Sequence, residues 1–206
     1  MQVQLDLYNS GKHPGNDADT IQTIKMLTEQ NERLSKMVKT LLDMSELQTV
    51  GRDETIIVNA LVDEVLADLE PLAQEKNIKL IGKCKDVNMV GSDILIYRLV
   101  YNLVENAIKY NHYGGQVIVE AYQKEKQVYL SVKDTGNGIP EELKERVFEP
   151  FFRVDKSRSR ELGGVGLGLA LVNEIVRVHD GSIAIRPNPS GGTIIEVEFS
   201  VNRTTA

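Results

Sequence analysis

Polar side chains recur at helical spacing in the segment 93–110. They are two amides, a carboxylate and an ammonium at positions i, i+3, i+4 and i+7: Asn102, Glu105, Asn106 and Lys109. This spacing places them on one face of a helix. Amide oxygens and a carboxylate suit a hard cation such as Mg²⁺, which binds substrate phosphates, and a lysine supplies a positive point charge for phosphate. A solvated polar stripe has the same pattern, so this segment alone leaves both interpretations open.

A glycine-containing turn, Asp-Thr-Gly-Asn-Gly-Ile-Pro at 134–140, follows a predicted strand. Asp134 stands where that strand ends. Gly136 and Gly138 permit positive φ angles and let a ligand approach the backbone closely. The pattern predicts a binding turn, although a plain turn capped by aspartate has the same residues.

A basic segment followed by a glycine run occupies 148–171. Four basic residues stand in a stretch without apolar periodicity: Arg153, Lys156, Arg158 and Arg160. Four glycines then lead into a helix: Gly163, Gly164, Gly166 and Gly168. Such a turn presents free N–H groups and a positive helix dipole to an anion. The spacing matches neither the dinucleotide pattern nor the P-loop, so it predicts another kind of phosphate site, with a mobile solvated loop as the alternative.

Apolar periodicity and turn residues predict the elements that position these segments. Helices are expected over 59–76, 93–110 and 165–178, with a short acidic helix after Pro140. Strands are expected over 55–58, 78–84, 117–122, 128–134, 183–186 and 193–199. Helices and strands group rather than alternate, which predicts an α+β fold: a two-layer α/β sandwich with helices on one face of a mixed sheet.

The first 50 residues have a different texture, so we predict two domains, 1–50 and 51–206. Residues 17–48 contain no Gly and no Pro, and apolar residues recur at coiled-coil spacing: Ile24, Leu27, Leu34, Val38 and Leu41. The end of another helix at 2–8 and a turn at 9–17 precede them. The pattern predicts a partial helical hairpin that pairs with a partner helix, and a helix packed on its own domain is the alternative.

Composition limits the function classes. The 206-residue chain has 24 basic and 30 acidic residues, a formal net charge of −6, so it lacks the basic excess typical of nucleic-acid binding. Its single cysteine excludes an internal disulfide. No apolar run approaches the roughly 18 residues of a membrane span, and no basic-then-apolar leader opens the sequence. We therefore expect a cytoplasmic chain without nucleic-acid or membrane contact.

Taken together, NLVENAIKY, DTGNGIP and FEPFFRVDKSRSRELGGVGLGLAL resemble the N box, first glycine box, phenylalanine box and second glycine box of sensor histidine kinases. Their order and spacing match throughout 51–200. The resemblance implies the Bergerat ATPase fold and transfer of the γ-phosphoryl group of Mg·ATP to a histidine, for relay to a response regulator receiver domain. It also implies that 1–50 is part of a homodimerising, histidine-bearing hairpin of a membrane-anchored sensor.

The resemblance also assigns roles to residues. Asn106 would coordinate Mg²⁺, and Asn102 and Lys109 would contact phosphates. Asp134 would accept a hydrogen bond from the adenine amino group. Thr193 would assist Asp134 through a water, Tyr110 would pack near the adenine, and Gly136 and Gly138 would shape the pocket. The remaining implied ATP contacts are a mobile basic lid and the backbone of the second glycine box: Arg153, Lys156, Arg158, Gly164, Gly166, Leu167 and Gly168.

Two departures refine this expectation. Related topoisomerase and mismatch-repair ATPases carry a water-activating Glu four residues before the Mg²⁺ Asn, where this chain has Asn102, and this favours phosphate transfer over hydrolysis. The three histidines, His13, His112 and His179, all lie outside a phosphoacceptor pattern of His-Glu/Asp-x-Lys/Arg-Thr/Ser-Pro. We therefore expect a fragment that starts after that motif and cannot phosphorylate itself, with a structural role for His179. The alternatives are an anti-sigma-factor-like serine kinase and a nucleotide-responsive dimerisation module without turnover.

Overall fold

A long helix, α1 (Asp17–Glu46), opens the part of the chain that the structure describes. The structure, a computed structural model, describes residues 17–154 and 165–201. The chain divides into two compact units, 1–39 and 40–206, so α1 belongs to both. In the first unit α1 exposes Ile24, Leu34 and Val38, each by more than half. The helix predicted over 17–48 is confirmed, whereas the helix end predicted at 2–8 and most of the turn at 9–17 lie outside the described residues.

The second unit contains the remaining elements. Its helices are α2 (Val58–Glu75), α3 (Asp93–Lys109) and α4 (Gly168–Val178). Its strands are β1 (Glu54–Ile57), β2 (Lys79–Cys84), β3 (Asn88–Gly91), β4 (Gln116–Lys124), β5 (Gln127–Asp134), β6 (Ser182–Pro187) and β7 (Thr193–Ser200). Single 3₁₀ turns occupy Glu141–Leu143 and Arg146–Phe148.

The main sheet has five strands in the order β2-β4-β5-β7-β6. β2 and β4 are parallel and the other pairs are antiparallel, while β1 and β3 form a separate antiparallel ribbon. The register aligns Val119, Val132 and Ile195 across the three central strands, and all three are buried. Helix residues such as Leu99 and Leu103 belong to the same core. The predicted α+β fold with a mixed sheet is confirmed.

Three local features are compared with the predictions. The four-residue ribbon strand β3 was not predicted. Helix α4 begins at Gly168 rather than 165, because Gly166 has φ +79, in the left-handed region that an α-helix cannot contain. The short acidic helix predicted after Pro140 is present as a single 3₁₀ turn, Glu141–Leu143.

The last turn of α1 packs within the second unit. Leu47, just after the helix, is 2% exposed and lies in the core, and Arg52 Nη1 donates to its carbonyl oxygen at 2.9 Å. Asp43 Oδ1 is 3.0 Å from Arg98 Nη1 on α3. The end of α1 is therefore tied to α3, the helix that carries the polar face. In the described part of the chain, no helix combines the length and the apolar character needed to cross a bilayer.

Candidate functional site

Helix α3 buries one face and presents amides on the other. Lys109 Nζ is 2.8 Å from Glu105 Oε1, and both side chains are mostly buried. Asn102 Nδ2 donates to the Arg98 carbonyl oxygen at 2.7 Å, which leaves its Oδ1 for other partners. The side-chain amide of Asn106 has no hydrogen-bond partner among the described residues. The polar helix face predicted from the spacing is therefore present. The side-chain amide of Asn106, near its centre, makes no hydrogen bond to the described residues.

The C-terminal end of α3 is capped by a cation from the end of α2. Lys76 Nζ donates to the carbonyl oxygens of Ile108 at 3.3 Å and Lys109 at 2.5 Å. A positive charge at a helix C-terminus stabilises the helix dipole. Burial lowers the pKa of Lys76. The cap anchors α3 at the point where the chain leaves for Tyr110.

The start of α4 lies directly against the α3 amides. A Cβ atom on Gly168 would be 2.9 Å from Asn102 Oδ1 and 3.7 Å from Asn106 Nδ2. Leu167, the N-cap residue, is 2% exposed and anchors this end in the protein. Because the first N–H groups of a helix have no intrahelical partner, this end of α4 can bind an anion beside the amides. The predicted phosphate site therefore combines Gly168 with Asn102 and Asn106.

Gly166 is required by a close backbone contact on the other side of the same turn. Its carbonyl oxygen accepts a hydrogen bond from the Phe151 N–H at 2.8 Å, and a Cβ would lie 2.7 Å from the Phe152 carbonyl oxygen. The Phe152 ring in turn lies under the Arg146 guanidinium, 4.4 Å from its centroid. These contacts hold Phe151 and Phe152 in place, just before the chain continues to residue 153.

Asp134 is the last residue of β5, and one of its two carboxylate oxygens is held by hydrogen bonds. Its Oδ1 accepts hydrogen bonds from the N–H groups of Gly136 at 2.8 Å and Thr193 at 3.2 Å. Burial raises the pKa of this carboxyl, and the two backbone hydrogen bonds act in the opposite direction. Oδ2 has no hydrogen-bond partner among the described residues. A single carboxylate oxygen is therefore available to a ligand.

The turn after Asp134 is joined to the end of α3. A Cβ on Gly136 would lie 2.5 Å from the Tyr110 carbonyl oxygen, so only glycine fits there. The N–H of Asn137 donates to that same oxygen at 3.3 Å. Buried Asn111 accepts a hydrogen bond from Thr135 Oγ1 at 3.1 Å and donates to the Gln116 carbonyl oxygen at 3.0 Å. The backbone of Tyr110, a residue that is 41% exposed, therefore adjoins the Asp134 turn.

The β6–β7 loop also contacts the Asp134 turn, and this contact was not predicted from the sequence. Gly192 has φ +86 and lies against Asp134, and Asn188 Nδ2 donates to the Asp134 carbonyl oxygen at 2.7 Å. Gly138, with φ +74, has its Cβ position 3.5 Å from the Gly192 carbonyl oxygen. The glycine pair before Thr193 was the one signal in the sequence that this loop is tightly constrained.

The structure thus groups the predicted residues around the C-terminal half of α3. One group holds Asn102, Asn106, Lys109, Gly166, Leu167 and Gly168, and the other holds Tyr110, Asp134, Gly136, Gly138 and Thr193. Arg153 is half-buried at the edge of the described segment. The other predicted lid and glycine residues, Lys156, Arg158 and Gly164, lie outside the described residues.

A divalent cation would need few ligands from this chain. Within 17–154 and 165–201, no three His, Cys, Asp or Glu side chains cluster as a metal site. Mg²⁺ usually keeps several waters and takes its remaining ligands from substrate phosphates and one or two protein oxygens. The side-chain amide of Asn106, which lies near the start of α4, carries one oxygen of the kind that suits that pattern.

A family model described as histidine kinase-, DNA gyrase B-, and HSP90-like ATPase matches residues 91–203. The chain belongs to this family. Its match spans α3, the Asp134 turn and the start of α4, which are the elements that build both groups of the site. This confirms the predicted ATP-binding catalytic domain.

Individual relatives are sensor histidine kinases. The sensor-like histidine kinase SenX3 of Mycolicibacterium smegmatis is 34% identical over 183 residues, which is 86% of this chain and 47% of that protein. The sensor histidine kinase WalK of Bacillus subtilis is 34% identical over 180 residues, 82% of this chain and 29% of that protein. The chain therefore spans less than half of these curated relatives.

Solved structures agree with the sequence comparison. The catalytic domain of histidine kinase ThkA superposes with a TM-score of 0.66 at 27% identity, over 73% of this chain and 97% of that domain. The mycobacterial sensor histidine kinase MprB gives 0.64 at 28% identity, over 72% and 97%. ThkA in complex with the response regulator protein TrrA gives 0.78 at 24% identity, over 99% of this chain and 58% of that one, and supports the fold alone.

Proposed function

We propose that this catalytic domain binds Mg·ATP and transfers the γ-phosphoryl group to a histidine on a dimerisation hairpin, for relay to a response regulator receiver domain. The observation that carries the proposal is the contact of Gly168 with the Asn102 and Asn106 amides, 2.9 and 3.7 Å from its Cβ position. It places a helix N-terminus, which attracts phosphate, beside two side-chain amides, a group whose oxygen suits Mg²⁺.

Adenine recognition falls to Asp134. Its Oδ1 is occupied by two backbone N–H groups, so Oδ2 accepts the hydrogen bond from the exocyclic amine of the base. Thr193 assists through a water, and Tyr110 packs near the ring. Guanine carries a carbonyl at the position of that amine, so the same oxygen discriminates against it.

Triphosphate binding falls to the α3 face and the second glycine segment. Asn106 contributes its amide oxygen to Mg²⁺, which supplies charge neutralisation for phosphoryl transfer when bound. Asn102 and Lys109 contact phosphate oxygens, and Lys109 exchanges its partner Glu105 for phosphate. The remaining proposed contacts are the basic lid and the glycine-box backbone: Arg153, Lys156, Arg158, Gly164, Gly166, Leu167 and Gly168.

Transfer to a protein histidine is favoured over hydrolysis, because the amide of Asn102 cannot accept a proton from water. We include the receiver-domain partner because ThkA has been solved in complex with the response regulator protein TrrA. Homodimerisation through the hairpin 1–50 is supported by the exposed apolar residues of α1, among them Ile24 and Leu34. We place this domain in the cytoplasm of a membrane-anchored sensor.

The test is transfer in trans. The chain is incubated with radiolabelled Mg·ATP, alone and with a separate helical hairpin that carries the phosphoacceptor motif. We expect an acid-labile label on the added hairpin, none on this chain, and no transfer by the Asn106→Ala variant. An acid-stable label would indicate the serine-kinase alternative, and nucleotide binding without any transfer would indicate the non-catalytic dimerisation module.

A further inference from the structure

We infer that Asn188, in the β6–β7 loop, is a positioning residue for base recognition: it holds the backbone of Asp134 so that the free carboxylate oxygen faces the adenine. The inference rests on the proposed function, because it requires Asp134 to bind the base.

Asn188 forms hydrogen bonds within its own loop and one to Asp134. Its Nδ2 donates to the Asp134 carbonyl oxygen at 2.7 Å, across 54 residues of sequence. Its Oδ1 accepts a hydrogen bond from the Ser190 N–H at 3.1 Å. Its backbone N–H donates to the Gly192 carbonyl oxygen at 3.1 Å, and its own carbonyl oxygen accepts from Gly191 at 2.9 Å. The side-chain amide is therefore oriented by the loop and directed at one atom of Asp134.

Asp134 is consequently held from two sides of its Cα. The carbonyl is fixed by Asn188, and the Oδ1 atom is fixed by the N–H groups of Gly136 and Thr193. Gly192 fills the space beside the carboxylate, since a Cβ there would lie 2.5 Å from Asp134 Oδ1. These restraints hold the backbone and Oδ1 of Asp134, and Oδ2 is the carboxylate oxygen that remains for a ligand.

The side chain of Asn188 is not needed to close the hairpin itself. The loop is closed by its two backbone hydrogen bonds, and the β6–β7 register continues through Pro187 and Thr193. Removing the side-chain amide of Asn188 therefore leaves the hairpin formed but removes the hydrogen bond between the hairpin and the Asp134 carbonyl oxygen. A purely structural residue would not show an effect that depends on the base.

The experiment is a double-mutant cycle read by nucleotide affinity. Calorimetry measures Mg·ATP binding to wild type, Asn188→Ala, Asp134→Asn and the double variant, with Ser190→Ala as the control in the same loop. A neutral hydrogen bond corresponds to about 3- to 10-fold in affinity, and we expect Asn188→Ala to lose that much. We expect no further loss when Asn188→Ala is added to Asp134→Asn, and no loss in Ser190→Ala.

The base provides the second readout. Mg·purine riboside triphosphate, which lacks the 6-amino group, is expected to bind wild type and Asn188→Ala equally. Asn188→Ser, whose side chain is too short to reach Asp134, is expected to repeat the Asn188→Ala result and covers the case in which that variant does not fold.

Two results overturn the inference while leaving the proposed function intact. One is that Asn188→Ala loses the same affinity for both nucleotides. The other is that adding Asn188→Ala to Asp134→Asn loses as much affinity as Asn188→Ala does alone. Unchanged ATP affinity in Asn188→Ala overturns it as well. If wild type fails to bind Mg·ATP, the proposed function falls and this inference with it.

Discussion

The ring of His179 joins the ends of two helices: its Nε2 atom accepts a hydrogen bond from the N–H of Ser92 at 3.1 Å, across 87 residues of sequence. Its Nδ1–H donates to the Ile175 carbonyl oxygen at 2.8 Å, which assigns the neutral Nδ1–H tautomer. Ser92 precedes α3 and His179 follows α4. The contact therefore holds α4, which carries Gly168, against α3, which carries Asn102, and supports the structural role predicted for His179.

Replacing His179 with Phe keeps an aromatic ring and leaves the buried Ser92 N–H without an acceptor. An unsatisfied buried donor costs about 1–3 kcal/mol, so the free energy of unfolding should fall by that amount in urea denaturation. The control is His112→Phe at an exposed position, which should change it by no more than about 0.5 kcal/mol. Equal effects of the two substitutions would show that the His179 hydrogen bonds do not matter.

Gly191 and Gly192 form a matched pair, since both have positive φ and only Gly192 faces Asp134. Gly191→Ala should cost about 1–2 kcal/mol from left-handed backbone alone. Gly192→Ala should cost roughly 1–3 kcal/mol more, because the added methyl group overlaps Asp134, and it should also weaken ATP binding. Denaturant unfolding of both variants measures the difference. Equal losses would contradict the close contact.

The carboxyl of Asp134 should make stability depend on pH. Burial raises its pKa above the ordinary 3.8, so the folded chain binds this proton more tightly than the unfolded chain does. Ionisation of this carboxyl therefore lowers the free energy of unfolding at neutral pH. That free energy rises again as the pH falls through the raised pKa toward 3.8. Asp134→Asn, which keeps the Oδ1 acceptor, should be more stable than wild type at pH 7.

Urea unfolding of wild type and Asp134→Asn between pH 4 and 8, without nucleotide, measures this effect. The stability difference should be largest at the alkaline end and shrink toward pH 4. A difference that stays constant across the range would refute the assigned cause.

The amide of Asn106 should act through the metal. Asn106→Ala removes a side chain with no partner among the described residues, so the melting temperature without nucleotide should stay unchanged. Calorimetry should show much weaker Mg·ATP binding. With EDTA present, the two proteins should bind ATP with equal affinity. If Asn106→Ala weakens ATP binding by the same factor without Mg²⁺, Asn106 is not a metal ligand.

The features that sequence predicted are those determined by nearby residues. The α3 face follows from helical spacing between Asn102 and Asn106, and the Asp134 turn follows from its own glycines. By contrast, Asn188 meets Asp134 only through the β5–β7–β6 strand order and register, which local spacing does not determine. The His179–Ser92 contact depends likewise on how α4 packs on α3.

The most direct test of the account is the base preference of the wild-type chain. Calorimetric titration with Mg·ATP and Mg·GTP, repeated on Asp134→Asn, isolates the carboxylate that reads the adenine amine. A charged hydrogen bond is worth about 1.5–3 kcal/mol, so ATP should bind wild type roughly tenfold to over a hundredfold more tightly than GTP, with the preference lost in the variant. Equal affinity of wild type for the two nucleotides would contradict the account.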